Sequence, residues 1–155
     1  MNVYLMQHGE ATAEADDPAR PLTAAGRTTV SVVAARAETA GVRVERIIHS
    51  GKLRAEQTAQ ILAAAIGDGS AEARDGLAPN DPVTPIVEQL SELAADGSVA
   101  CVGHLPFLDR LASALVADDE AAQVISFQMG GLVKLVPKTD GAGYAVAWVL
   151  APEIA

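Results

Sequence analysis

Short strand-like segments that alternate with helical patterns predict an α/β fold for this chain: a mostly parallel sheet flanked by helices on both faces, closed by a C-terminal antiparallel hairpin. Three observations carry that expectation. Asn2 to Met6, Arg46 to His49 and Ser98 to Val102 read as short buried strands. Stretches of helical periodicity separate them. The last quarter holds two strand-like runs, Leu132 to Val136 and Tyr144 to Val149, around a turn containing Gly141 and Gly143. With 155 residues and neither repeat nor linker, a single domain over residues 1–155 is expected.

The elements follow in order. The first strand ends at Gln7-His8-Gly9, and a polar loop broken by Pro18 and Pro21 runs from Glu10 to Leu22. Thr23 is a suitable N-cap for a helix to about Thr39, with Val30, Val33, Ala34 and Ala37 as its apolar stripe and Gly41 as its stop. The strand Arg46 to His49 leads through Ser50-Gly51 into a helix from Lys52 to Ile66. Glu72 to Asn80 is irregular, with room for a short strand. Asp81-Pro82 fits an N-cap followed by a first-turn proline, opening a helix to about Ala95. The strand Ser98 to Val102 stops at Gly103-His104, and a further helix begins at Leu105-Pro106, packing Phe107, Leu108, Leu111, Ala112 and Leu115. Tyr144 and Trp148 in the last strand, and the turn Met129-Gly130-Gly131, read as packing and connection.

Charge and cysteine content narrow the function classes. Eleven basic residues against 20 acidic give a formal charge of −9, which repels nucleic acid and anionic lipid. No run approaches the ~18 apolar residues of a membrane span, and the first residues lack a basic leader, so a cytoplasmic protein is expected. Cys101 is the single cysteine and sits in an apolar run, as a small buried hydrophobe does. The three histidines lie far apart in sequence with no carboxylate at ligand spacing, so neither a metal nor another cofactor is expected.

Three polar clusters fall where strands end: Gln7-His8-Gly9, Ser50 to Arg54, and Gly103-His104. In parallel sheets the ligand crevice lies beyond the carboxyl ends of the strands, at a switch in strand order. If these strands are neighbours, two imidazoles and a guanidinium converge there, beside a helix N-terminus that favours anions. Arg54 can grip two phosphate oxygens with its planar fork, and Gly9 lets backbone approach a ligand closely. A neutral imidazole attacks phosphorus, and a second one donates hydrogen bonds to the charge that develops.

Four strings occur in order: Met6-Gln7-His8-Gly9-Glu10-Ala11, Arg20-Pro21-Leu22-Thr23-Ala24-Ala25-Gly26-Arg27, Ser50-Gly51-Lys52-Leu53-Arg54-Ala55-Glu56-Gln57-Thr58-Ala59, and Val102-Gly103-His104-Leu105-Pro106. On these the chain resembles the histidine phosphatase superfamily and, within it, the small SixA-type protein-histidine phosphatases. Motif order and spacing agree from Asn2 to about Ala117, and the closing hairpin also fits. The resemblance implies that His8 is a nucleophile forming a phosphohistidine later hydrolysed by water. It implies that Arg54 grips the phosphoryl oxygens, that His104 stabilises the transferring group, and that Gly9 shapes the loop beneath. Ser50 and Thr58 read as backbone-satisfying hydroxyls.

The chain departs from the family at Gln7, where the Arg-His-Gly motif carries arginine. Glutamine keeps donors but lacks the charge and the bidentate fork, a loss of roughly 10- to 100-fold if nothing compensates. Lys52 and His49 are the candidates for a replacement charge. A second question is the acid that protonates an alcohol leaving group, for which Glu10 and Asp81 are candidates. Their bland roles are a loop carboxylate pairing with Arg20 or Arg27 and a helix N-cap. A phosphohistidine substrate relaxes the need for an acid, since imidazole titrates near neutrality. The expected function is therefore metal-independent removal of phosphoryl groups from a histidine-phosphorylated protein, such as a phosphotransfer domain or phosphocarrier. The alternatives are a non-catalytic phosphate- or phosphoprotein-binding module and a small-molecule phosphomonoesterase.

Overall fold

A computed structural model describes all residues, 1–155. Its elements are β1 (Asn2–Gln7), α1 (Ala24–Thr39), β2 (Arg46–His49), α2 (Leu53–Ile66), β3 (Glu72–Ala73), α3 (Thr84–Leu93), β4 (Ser98–Gly103), α4 (Phe107–Ala117), β5 (Leu132–Pro137) and β6 (Tyr144–Leu150), followed by a short 3₁₀ turn, Pro152–Ile154. They form one six-stranded sheet in the order β3-β2-β4-β1-β5-β6. The four strands from β3 to β1 are parallel, and β5 and β6 run antiparallel, as the alternating pattern predicts.

Both faces of the central strands are covered. Val3 and Leu5 of β1, with Val99 and Cys101 of β4, pack against α3 and α4. Tyr4 and Met6, with Ala100 and Val102, pack against α1 and α2. The period-two alternation of strand side chains sends successive residues into the two cores. From β1 the chain steps through β2 to β3 at the sheet edge, then returns to insert β4 between β2 and β1. Right-handed crossovers therefore place α1 and α2 on one face and α3 on the other. The reversal sets the switch point at the carboxyl ends of β1 and β4.

Two boundaries differ from the sequence expectation. Helix α3 begins at Thr84 with Val83 as its N-cap residue, and Asp81 instead accepts from the Ala78 N–H at 2.9 Å, closing the preceding turn. Helix α4 begins at Phe107, after Leu105-Pro106 rather than on them. Thr23 caps α1 as expected, accepting from the Gly26 N–H at 2.9 Å.

The loop after β1 is seated directly on α1. A Cβ at Gly26 would lie 2.2 Å from the Glu10 carbonyl oxygen, and one at Gly9 would lie 2.8 Å from Val30 Cγ2. Helix propensity alone favours Gly26→Ala by about 1 kcal/mol. The contact reverses that sign: overpacking costs roughly 1–3 kcal/mol, so Gly26→Ala lowers the urea midpoint. A raised midpoint would show that the loop is free to move off the helix.

Candidate active site

His8 is the first residue beyond β1, and its N–H extends the ladder by donating to the Gly103 carbonyl at 3.0 Å. Since Gln7 pairs with Gly103 in register, His8 and His104 are carried out of the sheet side by side. Their ring centroids are 5.0 Å apart with planes inclined at 54°. Both rings are buried, with only 8% of His8 and 2% of His104 exposed.

Each ring is held by one hydrogen bond that leaves its other nitrogen unengaged. His8 Nδ1 lies 2.7 Å from the Gly9 carbonyl. A carbonyl only accepts, so Nδ1 carries the proton and Nε2 keeps its lone pair. Burial is the main cause that lowers the His8 pKa; Arg54 and Arg20 lower it further, and the Gly9 carbonyl opposes them. The ring is therefore neutral and nucleophilic at neutral pH. His104 Nε2 lies 2.6 Å from the Ser50 hydroxyl. Burial first, then His8, Arg54, Lys52 and Arg20, lower its pKa to about 3. The Ser50 hydroxyl already accepts from the Lys52 N–H at 3.4 Å, which leaves its own proton for Nε2 and assigns the ring proton to Nδ1.

Helix α2 supplies the guanidinium. Arg54 stands in its first turn, and Thr58 one turn later is fully buried. The Thr58 hydroxyl donates to the Arg54 carbonyl at 2.8 Å and accepts from the Gly9 N–H at 3.0 Å, tying the loop below His8 to the Arg54 helix. Ser50 and Thr58, read from sequence as backbone-satisfying hydroxyls, thus hold the site together. Arg54 Nε and His104 Nδ1 are buried without a protein partner. Unpaired buried donors are costly, which is the signature of a place prepared for an acceptor-rich anion.

The remaining candidates separate clearly. Gln7 is half-buried at the end of β1, and its carbonyl accepts from the Gly130 N–H at 2.9 Å. Lys52 is exposed at the N-cap of α2, near enough for its charge to act on His104. His49 is buried, its Nδ1 accepts from the Gly51 N–H at 3.1 Å, and burial lowers its pKa, so it brings no positive charge. Glu10 accepts from the Thr23 hydroxyl at 2.7 Å, rather than pairing with Arg20 or Arg27. Asp81 is occupied in its own turn. Arg20, read from sequence only as a partner for Glu10, proves to be a charge felt by His8, Arg54 and His104 together. Its signal was the Arg20-Pro21-Leu22-Thr23 string, but no periodicity marks a loop residue whose charge reaches groups distant in sequence.

The neutral histidines make stability pH-dependent. An unfolded His104 takes up a proton near 6.5 and the folded ring not until about 3, so between these values the unfolded state binds more protons and stability falls as pH falls. The loss of urea stability from pH 7 to pH 5 is therefore smaller in His104→Asn than in wild type, by on the order of 1 kcal/mol after solvent screening is allowed for. Equal losses would mean that the His104 pKa is not lowered in the folded protein.

Comparison with known proteins agrees with this geometry. The profile of the Histidine phosphatase superfamily (branch 1) matches residues 3–79. An uncharacterized protein of Picosynechococcus sp. is 36% identical over 140 residues, covering 87% of this chain and 84% of its own. Phosphohistidine phosphatase SixA of Escherichia coli is 34% identical over 123 residues, covering 74% of each. The structure of the protein histidine phosphatase SixA complexed with tungstate superposes with a TM-score of 0.84 at 28% identity, over 98% of this chain and 97% of that one. The strand-end histidines, the Arg54 helix and these similarities together make this chain a member of the histidine phosphatase superfamily, of the SixA type.

Proposed function

We propose that this protein is a metal-independent phosphatase that removes phosphoryl groups from phosphohistidine in a protein, by way of a phosphohistidine on its own His8. His8 Nε2 attacks phosphorus while Arg54 and the His104 N–H hold the equatorial oxygens. The N–P bond breaks in the substrate's phosphoryl-imidazolium form, whose second ring nitrogen has taken up a proton from solvent near neutrality, so the imidazole leaves neutral and retains that proton. Water then attacks the phosphoryl group on His8, releasing inorganic phosphate and restoring the ring.

One observation favours phosphohistidine over an alcohol ester: both carboxylates in reach by sequence are committed elsewhere, Glu10 to Thr23 and Asp81 to the Ala78 N–H. An alkoxide leaving group needs a positioned acid, which contributes typically 10²–10⁴-fold. Imidazole does not need one. A protein-sized substrate also suits the surroundings, because Leu105, immediately after His104, and Met129, beside the Gly130 that bonds Gln7, are large exposed apolar side chains. A histidine-phosphorylated phosphotransfer domain or phosphocarrier is the partner this reading implies, in the cytoplasm. No helix is long and apolar enough to cross a membrane.

The direct test incubates the protein with a histidine-phosphorylated phosphotransfer domain. Wild type releases phosphate and carries a transient acid-labile phosphoryl group; His8→Ala does neither. A wild type that binds the phosphoprotein without turnover would make it a binding module instead. A second measurement concerns the acid. Glu10→Gln and Asp81→Asn leave phosphohistidine turnover within about threefold of wild type, against the 10²–10⁴ loss expected of a general acid. A loss of that larger size, together with hydrolysis of p-nitrophenyl phosphate, would point to a phosphomonoesterase.

A further inference from the structure

The cradle for the transferring group holds Arg54 and His104, yet the strand end that carries an arginine in this family's motif carries Gln7. An arginine reaches the same place from another element. The loop between β1 and α1 folds back on itself through the Ala11–Leu22 bridge and a 2.8 Å hydrogen bond from the Thr12 N–H to the Pro21 carbonyl. The Leu22 N–H then donates to Gln57 Oε1 at 2.8 Å. Gln57 stands three residues after Arg54, on the same side of α2. The loop is thus fastened to the helix face that presents Arg54, and Arg20 lies two residues before the fastening point.

Arg20 is itself held. Its backbone takes the left-handed conformation, with φ of 49°, which a non-glycine residue adopts only where the surroundings impose it. Its Nε donates to the Thr12 carbonyl at 3.1 Å, fixing the side chain without using the terminal nitrogens. No carboxylate neutralises it: the chain's one ion pair joins Arg110 to Glu120. A half-buried guanidinium that has no ion-pair partner, and whose charge acts on a second guanidinium, sets up a repulsion that a bound anion relieves. The same charge, after burial, lowers the pKa values of His8, Arg54 and His104, so it lies near enough to act on all three. The other candidates fit less well. Lys52 is exposed, with no tether on its amine, and His49 is neutral and turned to Gly51.

We propose that Arg20 supplies the second guanidinium of the phosphoryl cradle, delivered by the β1–α1 loop in place of the arginine absent at position 7. This rests on the phosphatase reading of the site, but it makes a separate claim about which side chain carries the charge. Arg20 would contact the phosphoryl oxygens through its two free terminal nitrogens, while the Thr12 carbonyl keeps Nε fixed.

Binding of inorganic phosphate, measured by titration calorimetry, tests this without any assumption about substrate. Arg20→Met weakens phosphate binding by roughly 10- to 100-fold, the value of a charge-assisted bidentate contact, and Arg20→Lys falls between it and wild type. The decisive variant adds Gln7→Arg. In the Arg20→Met background it restores phosphate binding and phosphohistidine turnover by about tenfold or more, a larger gain than the same change gives beside an intact Arg20. A purely structural Arg20 would show a lowered melting temperature and no rescue by Gln7→Arg. Unchanged phosphate affinity in Arg20→Met overturns the inference and leaves the phosphatase reading standing. Absence of phosphate binding by wild type overturns the cradle and the inference together. Normal phosphate binding with no phosphohistidine turnover removes the proposed substrate and leaves the assignment of Arg20 intact.

Discussion

The parallel pairing of β1 with β4 is the constraint on which the rest depends. Gln7 and Gly103 end the two strands in register, and the His8 N–H continues the ladder onto the Gly103 carbonyl. A register slip of one residue would send every side chain of the strand to the opposite face. It would put Val3 and Leu5 into the α1–α2 core, Tyr4 and Met6 into the α3–α4 core, and separate the two imidazoles. The burial pattern on both faces of β1 therefore sets the 5.0 Å between the rings. The distance that the chemistry requires is a by-product of core packing some residues away.

Electrostatics in the crevice run against those of the whole molecule. The chain carries a formal −9, yet the charges of Arg54, Arg20 and Lys52 all act on the neutral His104, and Glu10 is bonded to the cap of α1. Burial disfavours charge on each imidazole, and the guanidinium groups add to that preference. The result is an imidazole with a free lone pair beside unpaired buried nitrogens of Arg54 and His104, surroundings that favour an anion. Donors left unpaired in the protein, Arg54 Nε and His104 Nδ1, are a cost in stability that a bound phosphoryl group would relieve. Thr58 and Ser50 bear the positioning, one bonding the loop under His8 to α2 and the other orienting His104.

Much of the fold was legible because its signals are local. Buried strands, helical stripes and the Thr23 cap appear in short windows, and all recur in the structure. The positions of His8, Arg54 and His104 followed from strand ends and from the rule that crevices form there. The helix starts at Asp81 and Leu105 were displaced because capping residues also close turns, and only the surrounding contacts decide which they do. Arg20 escaped notice for a related reason. Its place at the site depends on Leu22 meeting Gln57, residues 35 apart in sequence.

By itself, then, the chain's order of residues determined the strand and helix types, the two imidazoles with their guanidinium, and the absent arginine at position 7. Those features depend on side-chain chemistry and periodicities of two and 3.6 residues, which a linear text preserves. Tertiary structure alone decided which cations face the imidazoles, which carboxylates are engaged elsewhere, and which hydroxyls align the rings. These depend on contacts between segments separated by tens of residues, and the pKa shifts that make the histidines neutral arise mainly from burial, a property the chain acquires only by folding.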